Sequence, residues 1–338
     1  MKNLRPPLLD VRNLSIRVGS ARNNLVDDVS FSLSAGRTLC IVGESGCGKS
    51  QTALALMGLL ASPPLSVTGG TARFRHEDLL TLPPARLQRI RGDRMAMIFQ
   101  EPMSSMNPVL RIGEQIAETV RRHKRASGAA ARARALEMLE RVRIPAAKTR
   151  MDELPHQLSG GMRQRAMIAM ALANDPELLL ADEPTTALDV TIQAQILDLM
   201  RGLQAELGTA MILITHDLGV VAEMADEVAV MYAGRIVEIG TTRDIFEDTQ
   251  HPYTIGLMSS MPGLGRRSER LVTIPGRVPS AAEMPDGCRF ASRCPFRMEI
   301  CAEAPALAGA AGTSHRVACW RAPIEDPAAQ RQRRAEPA

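Results

Sequence analysis

The eight residues from Gly43 to Ser50 have the types and spacing of a phosphate-binding loop. They read Gly-Glu-Ser-Gly-Cys-Gly-Lys-Ser and fit the pattern G-x-x-x-x-G-K-S throughout. Glycines at these positions let backbone N–H groups turn inward and surround phosphate oxygens at a helix N-terminus. Lys49 can then bridge the β- and γ-phosphates of ATP, and the Ser50 hydroxyl can bind Mg²⁺.

The segments on either side of this loop agree with that chemistry. The apolar run from Arg37 to Val42 predicts a buried strand before the loop, and residues 49–60 have the pattern of a helix after it. A chance glycine-rich turn would not need this order of strand, loop and helix. The candidate nucleotide-binding residues here are Gly43, Glu44, Ser45, Gly46, Cys47, Gly48, Lys49, Ser50 and Gln51.

Two neighbouring carboxylates at the end of an apolar run form a second candidate site. Leu178 to Ala181 predicts a buried strand, and Asp182 and Glu183 follow it directly. Asp182 is suited to bind Mg²⁺ directly or through water. Glu183 is suited to act as the general base that polarises an attacking water. Together with the phosphate loop, these carboxylates predict hydrolysis of ATP.

The elements that must position these residues alternate between strands and helices. Residues 8–33 predict short antiparallel strands, residues 84–155 are helical and basic, and residues 227–238 predict a hairpin with its turn at Ala233–Gly234. A helix is predicted at 161–173 and a strand at 211–215, and between them one apolar stripe is formed by Ile192, Ile196, Leu199 and Leu203. This alternation indicates an α/β fold with a parallel sheet.

The composition is that of a globular protein without a dedicated nucleic-acid surface. Of 338 residues, 45% are hydrophobic and 23% are charged, and the net charge is only +4. No run approaches the roughly 18 apolar residues of a membrane-spanning helix. The N-terminus does not resemble a signal peptide. We therefore expect the protein to remain in the cytosol.

A further set of motifs resembles those of ATP-binding cassette (ABC) proteins. Residues 157–165 read Gln-Leu-Ser-Gly-Gly-Met-Arg-Gln-Arg and are similar to the family's signature motif. In the family's order, Gln100 resembles the Q-loop, Ala187-Leu188-Asp189 the D-loop and His216 the switch histidine. The resemblance extends over nearly the whole chain, from about Leu8 to Trp320.

This resemblance implies a P-loop NTPase fold with a mostly parallel sheet, a small antiparallel β subdomain, an inserted helical subdomain and a cysteine-containing C-terminal extension. It also implies that two cassettes pair head to tail, with each ATP between one phosphate loop and the other subunit's signature motif. Ser159, Gly160 and Gly161 would then contact the nucleotide held by the partner. Asp189 would contribute to the same composite site.

The resemblance also assigns roles around the γ-phosphate. His216 and Gln100 would join Glu183 as catalytic residues. Gln100 would in addition bind Mg²⁺ beside Ser50 and Asp182. One position departs from the family pattern, because Val18 stands where an aromatic residue usually stacks on adenine. Such stacking contributes about 1–3 kcal/mol in nucleic-acid complexes, so weaker nucleotide binding or another covering residue is expected.

Several segments narrow the resemblance to ATP-binding subunits of bacterial dipeptide and oligopeptide importers, a group that also includes nickel and glutathione importers. These segments are residues 100–108, 155–157, 215–221, 251–254, 271–276 and 285–288. The implied organisation is an ATPase domain at 1–240, with its helical subdomain at about 86–158, and an extension at 241–325. Residues 326–338, rich in Arg, Ala, Gln and Pro, are expected to be disordered.

The importer resemblance implies uptake of di- or oligopeptides through separate membrane subunits. The implied partners are a second ATPase subunit in a heterodimer, two transmembrane permeases and an extracytoplasmic solute-binding protein, at the cytoplasmic face of the inner membrane. Nickel, glutathione or another small solute is an alternative cargo. A soluble ABC ATPase acting on DNA or ribosomes is disfavoured because the chain has neither long coiled coils nor two cassettes. Intact Glu183 and His216 disfavour a non-hydrolysing regulatory cassette.

Four cysteines lie in the C-terminal extension: Cys288, Cys294, Cys301 and Cys319. Their gaps of 5, 6 and 17 residues differ from the C-x₂-C of common zinc sites and from the bacterial ferredoxin pattern. The thiols alone leave a soft metal, zinc or unligated cysteines open. In the peptide-importer group a similar pattern is associated with a [4Fe–4S] cluster, so the resemblance implies such a cluster in a structural role.

Overall fold

The computed structural model describes residues 6–101, 105–186, 188–260, 274–281, 283–309 and 313–324. The predicted disordered tail, residues 326–338, lies outside these ranges, as do Ala187 and residues 271–273. The strands in the described ranges are β1 (Leu9–Val18), β2 (Val26–Leu33), β3 (Thr38–Val42), β4 (Leu65–Phe74), β5 (Glu77–Asp78), β6 (Met95–Ile98), β7 (Leu178–Asp182), β8 (Ala210–Thr215), β9 (Glu227–Tyr232), β10 (Arg235–Thr241) and β11 (Arg316–Val317).

Helices connect most of these strands. They are α1 (Lys49–Leu56), α2 (Pro84–Ile90), α3 (Ile112–Lys124), α4 (Gly128–Arg141), α5 (Ala147–Arg150), α6 (Gly160–Leu172), α7 (Val190–Leu207), α8 (Leu218–Met224), α9 (Thr242–Glu247) and α10 (Pro252–Ser259). Short 3₁₀ turns occupy Pro155–Gln157 and Glu299–Ala302. Helices α3 to α6 follow one another between β6 and β7 and form the inserted helical region.

The strands form a mostly parallel sheet and a separate antiparallel sheet. The larger sheet has the order β11-β10-β9-β3-β8-β7-β6, in which the neighbours from β9 to β6 run parallel and β10 and β11 are antiparallel additions. The smaller sheet has the order β2-β1-β4-β5 and is antiparallel. This architecture confirms the predicted α/β P-loop fold with an antiparallel β subdomain. The carboxyl ends of β3 and β7 meet at one edge, because both strands run parallel to β8 between them.

The central strands separate two apolar clusters. In β3, Leu39 and Ile41 pack in the cluster shared with the antiparallel sheet, whereas Cys40 and Val42 pack in the cluster shared with the helical region. Side chains of a strand alternate between the two faces of a sheet, so a strand covered on both faces needs a continuous apolar run. This explains why the buried strands appear in the sequence as unbroken runs rather than as alternating patterns.

Two predicted boundaries in this region differ from the structure. The stretch predicted as helical from residue 84 to 155 contains strand β6, whose four residues are all buried. Such a short apolar run cannot be distinguished from a helix turn by periodicity. Helix α1 ends at Leu56 rather than near residue 60. Gly58 follows with φ of +58°, a left-handed conformation that is common where helices end.

Candidate nucleotide-binding and catalytic site

The phosphate loop connects the end of β3 to the start of α1. Its glycines Gly43, Gly46 and Gly48 have φ of +153°, +79° and +102°, a region that residues with a Cβ rarely adopt. A Cβ added at Gly43 would lie 2.1 Å from the carbonyl oxygen of Met231 in β9. The loop therefore requires glycine at this position for its backbone conformation and for its close approach to a neighbouring strand.

Lys49 is held across this loop by backbone carbonyls. Its Nζ donates hydrogen bonds to the carbonyl oxygens of Gly43 at 2.8 Å and Glu44 at 3.0 Å, and the side chain is only 5% exposed. Burial of a lone ammonium is costly, so these two acceptors are what make the position tolerable. The positive charge is thereby fixed beside the N–H groups of the loop, where an anion would bind.

Ser50 and Asp182 form an oxygen pair suited to a hard cation. Ser50 Oγ donates a hydrogen bond to Asp182 Oδ1 at 3.0 Å, which joins the start of α1 to the end of β7. Burial raises the pKa of Asp182, the hydrogen bond from Ser50 opposes this shift, and the charge of Glu183 adds to it. Oxygen ligands of this kind, few in number and close to phosphates, fit the usual protein contribution to a Mg²⁺ site.

Glu183 lies at the centre of the predicted catalytic group. Gln100 Nε2 donates to its Oε2 at 3.1 Å, and His216 Nδ1 lies 3.3 Å from its Oε1. The Thr186 hydroxyl also donates to Oε2, at 2.9 Å. Glu183 itself has φ of +46°, a conformation that is costly for a residue with a side chain and is typical of functional sites. The structure therefore brings together all three residues predicted to be catalytic.

A cavity of about 610 Å³ lies between these groups. Its lining comprises Leu25, Ser45, Gly46, Gly48, Lys49, Ser50, Gln51, Gln100, Glu183 and His216. Leu25 and Thr186 were not singled out from the sequence. Leu25 stands just before β2, where no local pattern marks it, whereas Thr186 follows Glu183 by three residues and could have been found as a candidate partner. Val18, which stands where the family usually has an adenine-stacking aromatic residue, is absent from this lining.

The signature motif lies apart from this cavity in the same chain. Ser159 is exposed and caps α6, where its hydroxyl accepts a hydrogen bond from the Met162 N–H at 3.3 Å. Gly160 is also exposed, and a Cβ there would meet no atom within 4 Å. Asp189 caps α7 by accepting from the Ile192 N–H at 2.9 Å. These residues are therefore available at the surface and do not complete the site of their own chain.

The four cysteines of the extension do not form a metal centre. They border a cavity of only about 10 Å³, room for roughly one water molecule. Burial raises the pKa of the Cys288, Cys294 and Cys319 thiols. Among the described residues, no group of three or more His, Cys, Asp or Glu side chains could hold a metal ion. The prediction of a [4Fe–4S] cluster at Cys288, Cys294, Cys301 and Cys319 is therefore wrong.

The fold and the arrangement of loop, carboxylates and histidine define a P-loop NTPase. The family model described as ABC transporter matches residues 26–186, and the one described as the C-terminal region of oligopeptide/dipeptide transporters matches residues 237–301. The chain belongs to the ABC transporter family, as the sequence motifs predicted. Over the parts of the chain that the structure describes, no helix has the length and apolarity to cross a membrane.

Known relatives agree with this assignment. The chain is 53% identical over 303 residues to the oligopeptide transport ATP-binding protein OppD of Haemophilus influenzae, covering 89% of this chain and 93% of that protein. It is 51% identical over 302 residues to OppD of Escherichia coli, covering 89% of each. A dimeric structure of the ATP-binding cassette MJ0796, in a post-hydrolysis state bound to ADP and Pi, matches with a TM-score of 0.62 and 28% identity over 70% of this chain and 99% of that one.

Proposed function

We propose that this chain is the ATP-hydrolysing subunit of an ABC importer for di- or oligopeptides. The observation that carries the catalytic part is the Glu183 carboxylate, held between Gln100 and His216 beside the Ser50–Asp182 pair. A chain that only bound nucleotide would have no need for a positioned base at this place. The similarity to OppD proteins supports peptide import as the coupled process.

ATP binding falls to the phosphate loop. The N–H groups of residues 43–51 would surround the phosphates, and Lys49 would move from its carbonyl partners toward the β- and γ-phosphate oxygens. Ser50, Asp182 and Gln100 would supply oxygen ligands to Mg²⁺, which when bound neutralises charge on the phosphates. Among the described residues that line the cavity, Leu25 has the apolar side chain, and it is our candidate for contact with the nucleotide outside the phosphate region.

Hydrolysis is assigned to the group around Glu183. The carboxylate accepts a proton from a water molecule as the water oxygen attacks the γ-phosphorus. The bond from that phosphorus to the β–γ bridging oxygen breaks, and ADP and phosphate are the products. His216 and Gln100 hold the carboxylate and orient the water and the γ-phosphate. A water positioned in this way reacts faster because little orientation has to be gained in the transition state.

The complete site needs a second cassette. Ser159 and Gly160 are exposed and Gly161 is half-buried at the start of α6. These three residues would contact the γ-phosphate bound by a partner subunit, with Asp189 at the same interface. Their separation from the cavity of their own chain supports this head-to-tail arrangement. We propose a heterodimer of ATPase subunits, because the importer resemblance extends to that composition.

The membrane partners are two permease subunits, with an extracytoplasmic solute-binding protein that delivers the peptide. We propose that the chain associates peripherally with them at the cytoplasmic face of the bacterial inner membrane. In the same proposal, residues 1–240 form the ATPase domain, with a helical subdomain at about 86–158, and residues 241–325 form the extension. The segment after Gln100 would contact the permeases, although residues 102–104 of it lie outside the described ranges. A cysteine introduced at Ser105 should therefore crosslink to a permease.

Transport by the assembled complex tests the whole proposal. The complex, reconstituted into vesicles with its binding protein, should take up a labelled di- or oligopeptide only when ATP is present on the side of this chain. Uptake of nickel or glutathione instead would retain the ATPase assignment and replace the cargo. ATP hydrolysis without any permease in the native complex, together with crosslinks from Ser105 only to soluble proteins, would contradict the importer assignment.

A further inference from the structure

Glu44 in the phosphate loop receives contacts from the C-terminal part of the chain. Its backbone N–H donates a hydrogen bond to the Tyr253 hydroxyl at 2.8 Å. Its carboxylate oxygens accept from Arg293 Nη1 at 3.0 and 3.1 Å. Tyr253 stands at the start of α10 and Arg293 lies among the cysteines of the extension, more than 200 residues after the loop. The loop pattern itself places no requirement on the residue at position 44.

The Arg293 guanidinium is held in place by contacts in addition to the one with Glu44. Its Nε donates to the Pro275 carbonyl at 2.8 Å and its Nη2 to the Ile274 carbonyl at 3.2 Å. Its guanidinium lies 5.7 Å from the ring centroid of Tyr232, close enough for a cation–π interaction. The side chain is 6% exposed. A planar guanidinium held in this way can bring a single, defined donor to the Glu44 carboxylate.

Tyr253 is fixed by aromatic packing. Its ring is fully buried and lies 4.7 Å from the ring of Tyr232 and 5.5 Å from the ring of Phe290. Tyr232 ends β9 beside the loop, and Phe290 belongs to the extension. The hydroxyl at the end of this buried ring accepts the hydrogen bond from the Glu44 N–H. The position of Glu44 is therefore determined by the extension through its backbone and through its side chain.

Glu44 in turn contacts Lys49, because its carbonyl oxygen is one of the two backbone acceptors of the Lys49 ammonium. The Glu44 carboxylate also adds a negative charge to a loop that must receive a highly negative ligand. Without a cation beside it, this carboxylate would weaken the binding of phosphate groups, since like charges in a partly buried site repel strongly. Arg293 supplies that cation from the extension.

We propose that Tyr253 and Arg293 are positioning residues for ATP binding, through which the C-terminal extension neutralises Glu44 and holds the phosphate loop in its binding conformation. The proposal depends on the proposed function only in that the loop binds ATP. This positioning role depends on the two contacts that Glu44 receives, from Tyr253 and from Arg293. Other extension residues, such as Arg289, which pairs with Asp27 at 2.7 Å, attach the extension to the antiparallel sheet and do not contact the loop.

Binding of a fluorescent ATP analogue with Mg²⁺ to the full-length chain is the direct test. Arg293→Gln should raise the dissociation constant about tenfold, the order expected when a hydrogen bond to a charged group is lost. In the assembled complex, the KM for ATP should rise by a similar factor while kcat changes less than about threefold. Arg277→Gln is the matched control, because Arg277 is an exposed extension arginine that pairs with Glu283. The control should bind as the unmodified chain does.

A second substitution at Glu44 separates charge neutralisation from a merely structural role. Adding Glu44→Gln to Arg293→Gln removes the unpaired carboxylate and should recover most of the lost affinity. Tyr253→Phe keeps the ring and removes only the hydroxyl, so it should weaken binding about threefold to tenfold without altering thermal unfolding by much. If Arg293→Gln does not fold, Arg293→Lys keeps the charge but not the fork of donors, and it should show a smaller increase in the same constant.

Three results would overturn the proposal: unchanged binding in folded Arg293→Gln, no recovery in the double variant, or an equal loss in Arg277→Gln. Each of these results requires that the unmodified chain binds the analogue. A chain that fails to bind it before any substitution would instead contradict the proposed function.

Discussion

Substitution of Glu183 by glutamine tests the proposed general base, because the glutamine side chain has nearly the same shape as the glutamate side chain. Oε2 accepts hydrogen bonds from Gln100 at 3.1 Å and from Thr186 at 2.9 Å, so the carbonyl oxygen of the new amide should take that position. The amide nitrogen then occupies the place of Oε1, 3.3 Å from His216 Nδ1. It can donate there if the ring carries its proton on Nε2. The local network is therefore retained, whereas the group that accepts the water proton is lost.

The expected loss of hydrolysis is large because an amide cannot act as a general base at neutral pH. A positioned base contributes about 10²–10⁴-fold to a rate. This corresponds to an increase of about 2.7–5.4 kcal/mol in the activation free energy. ATP binding should remain within about threefold, since neither Lys49 nor the loop contacts the altered atom. The ATP-loaded cassette pair should consequently accumulate in a closed state.

Phosphate release by the purified complex measures this effect, and equilibrium binding of ATP measures the part that should not change. Thr186→Val is the matched control, because it removes one hydrogen bond to Glu183 and leaves the carboxylate in place. Thr186 is exposed, so water can replace the lost donor and the rate should fall less than about tenfold. Near-normal turnover in Glu183→Gln, or an equal loss in both variants, would show that Glu183 is not the base.

Four further substitutions have defined outcomes. Ser159→Arg should suppress hydrolysis at the partner's phosphate loop and leave Mg·ATP binding at its own loop intact. Full ATPase activity of an isolated monomer, equal with and without this substitution, would refute the composite site. Gly43→Ala should reduce ATP binding by more than about 100-fold, because the Cβ of the alanine would lie 2.1 Å from the Met231 carbonyl oxygen. In the control Gly46→Ala, the Cβ meets no atom within 4 Å, so any loss of binding measures the cost of the positive φ alone. Glu238→Ala leaves the N–H groups of Gln250 and His251 without their buried acceptor. The free energy of unfolding, measured in urea, should therefore fall by about 2–6 kcal/mol. An unchanged unfolding midpoint would show that water replaces the carboxylate.

Local patterns predicted several elements that surround the candidate nucleotide site. The phosphate loop, the strand that ends at Asp182 and the hairpin with its turn at Ala233–Gly234 each depend on residues close together in the chain. Strand β6 was missed because its short run lies between helices and is indistinguishable from them by period. Leu25 was missed because its place in the cavity results from the packing of β2 against the loop, which no local pattern encodes.

The cysteine prediction failed for a related reason. The number and spacing of Cys288, Cys294, Cys301 and Cys319 describe which atoms are present, whereas a metal centre also needs thiolates that converge with room between them. In the folded extension the thiols border a cavity of about 10 Å³. Cys288 and Cys294 pack against the larger apolar cluster instead. A partly buried cysteine packed in this way behaves as a small apolar residue.

The contact between the extension and the phosphate loop is likewise a feature that no local sequence pattern encodes. Glu44 occupies a position that the loop pattern leaves open, and its partners follow it by 209 and 249 residues. A sequence read segment by segment assigns the loop to catalysis and the extension to a separate domain, and nothing in either segment connects them. The fold connects them because β9 carries Tyr232 to the side of the loop, where Tyr253 and Arg293 both pack against its ring. Since the same carboxylate would oppose phosphate binding if it were unpaired, the choice of Glu at position 44 becomes consistent with an ATP site only when the extension is folded against it.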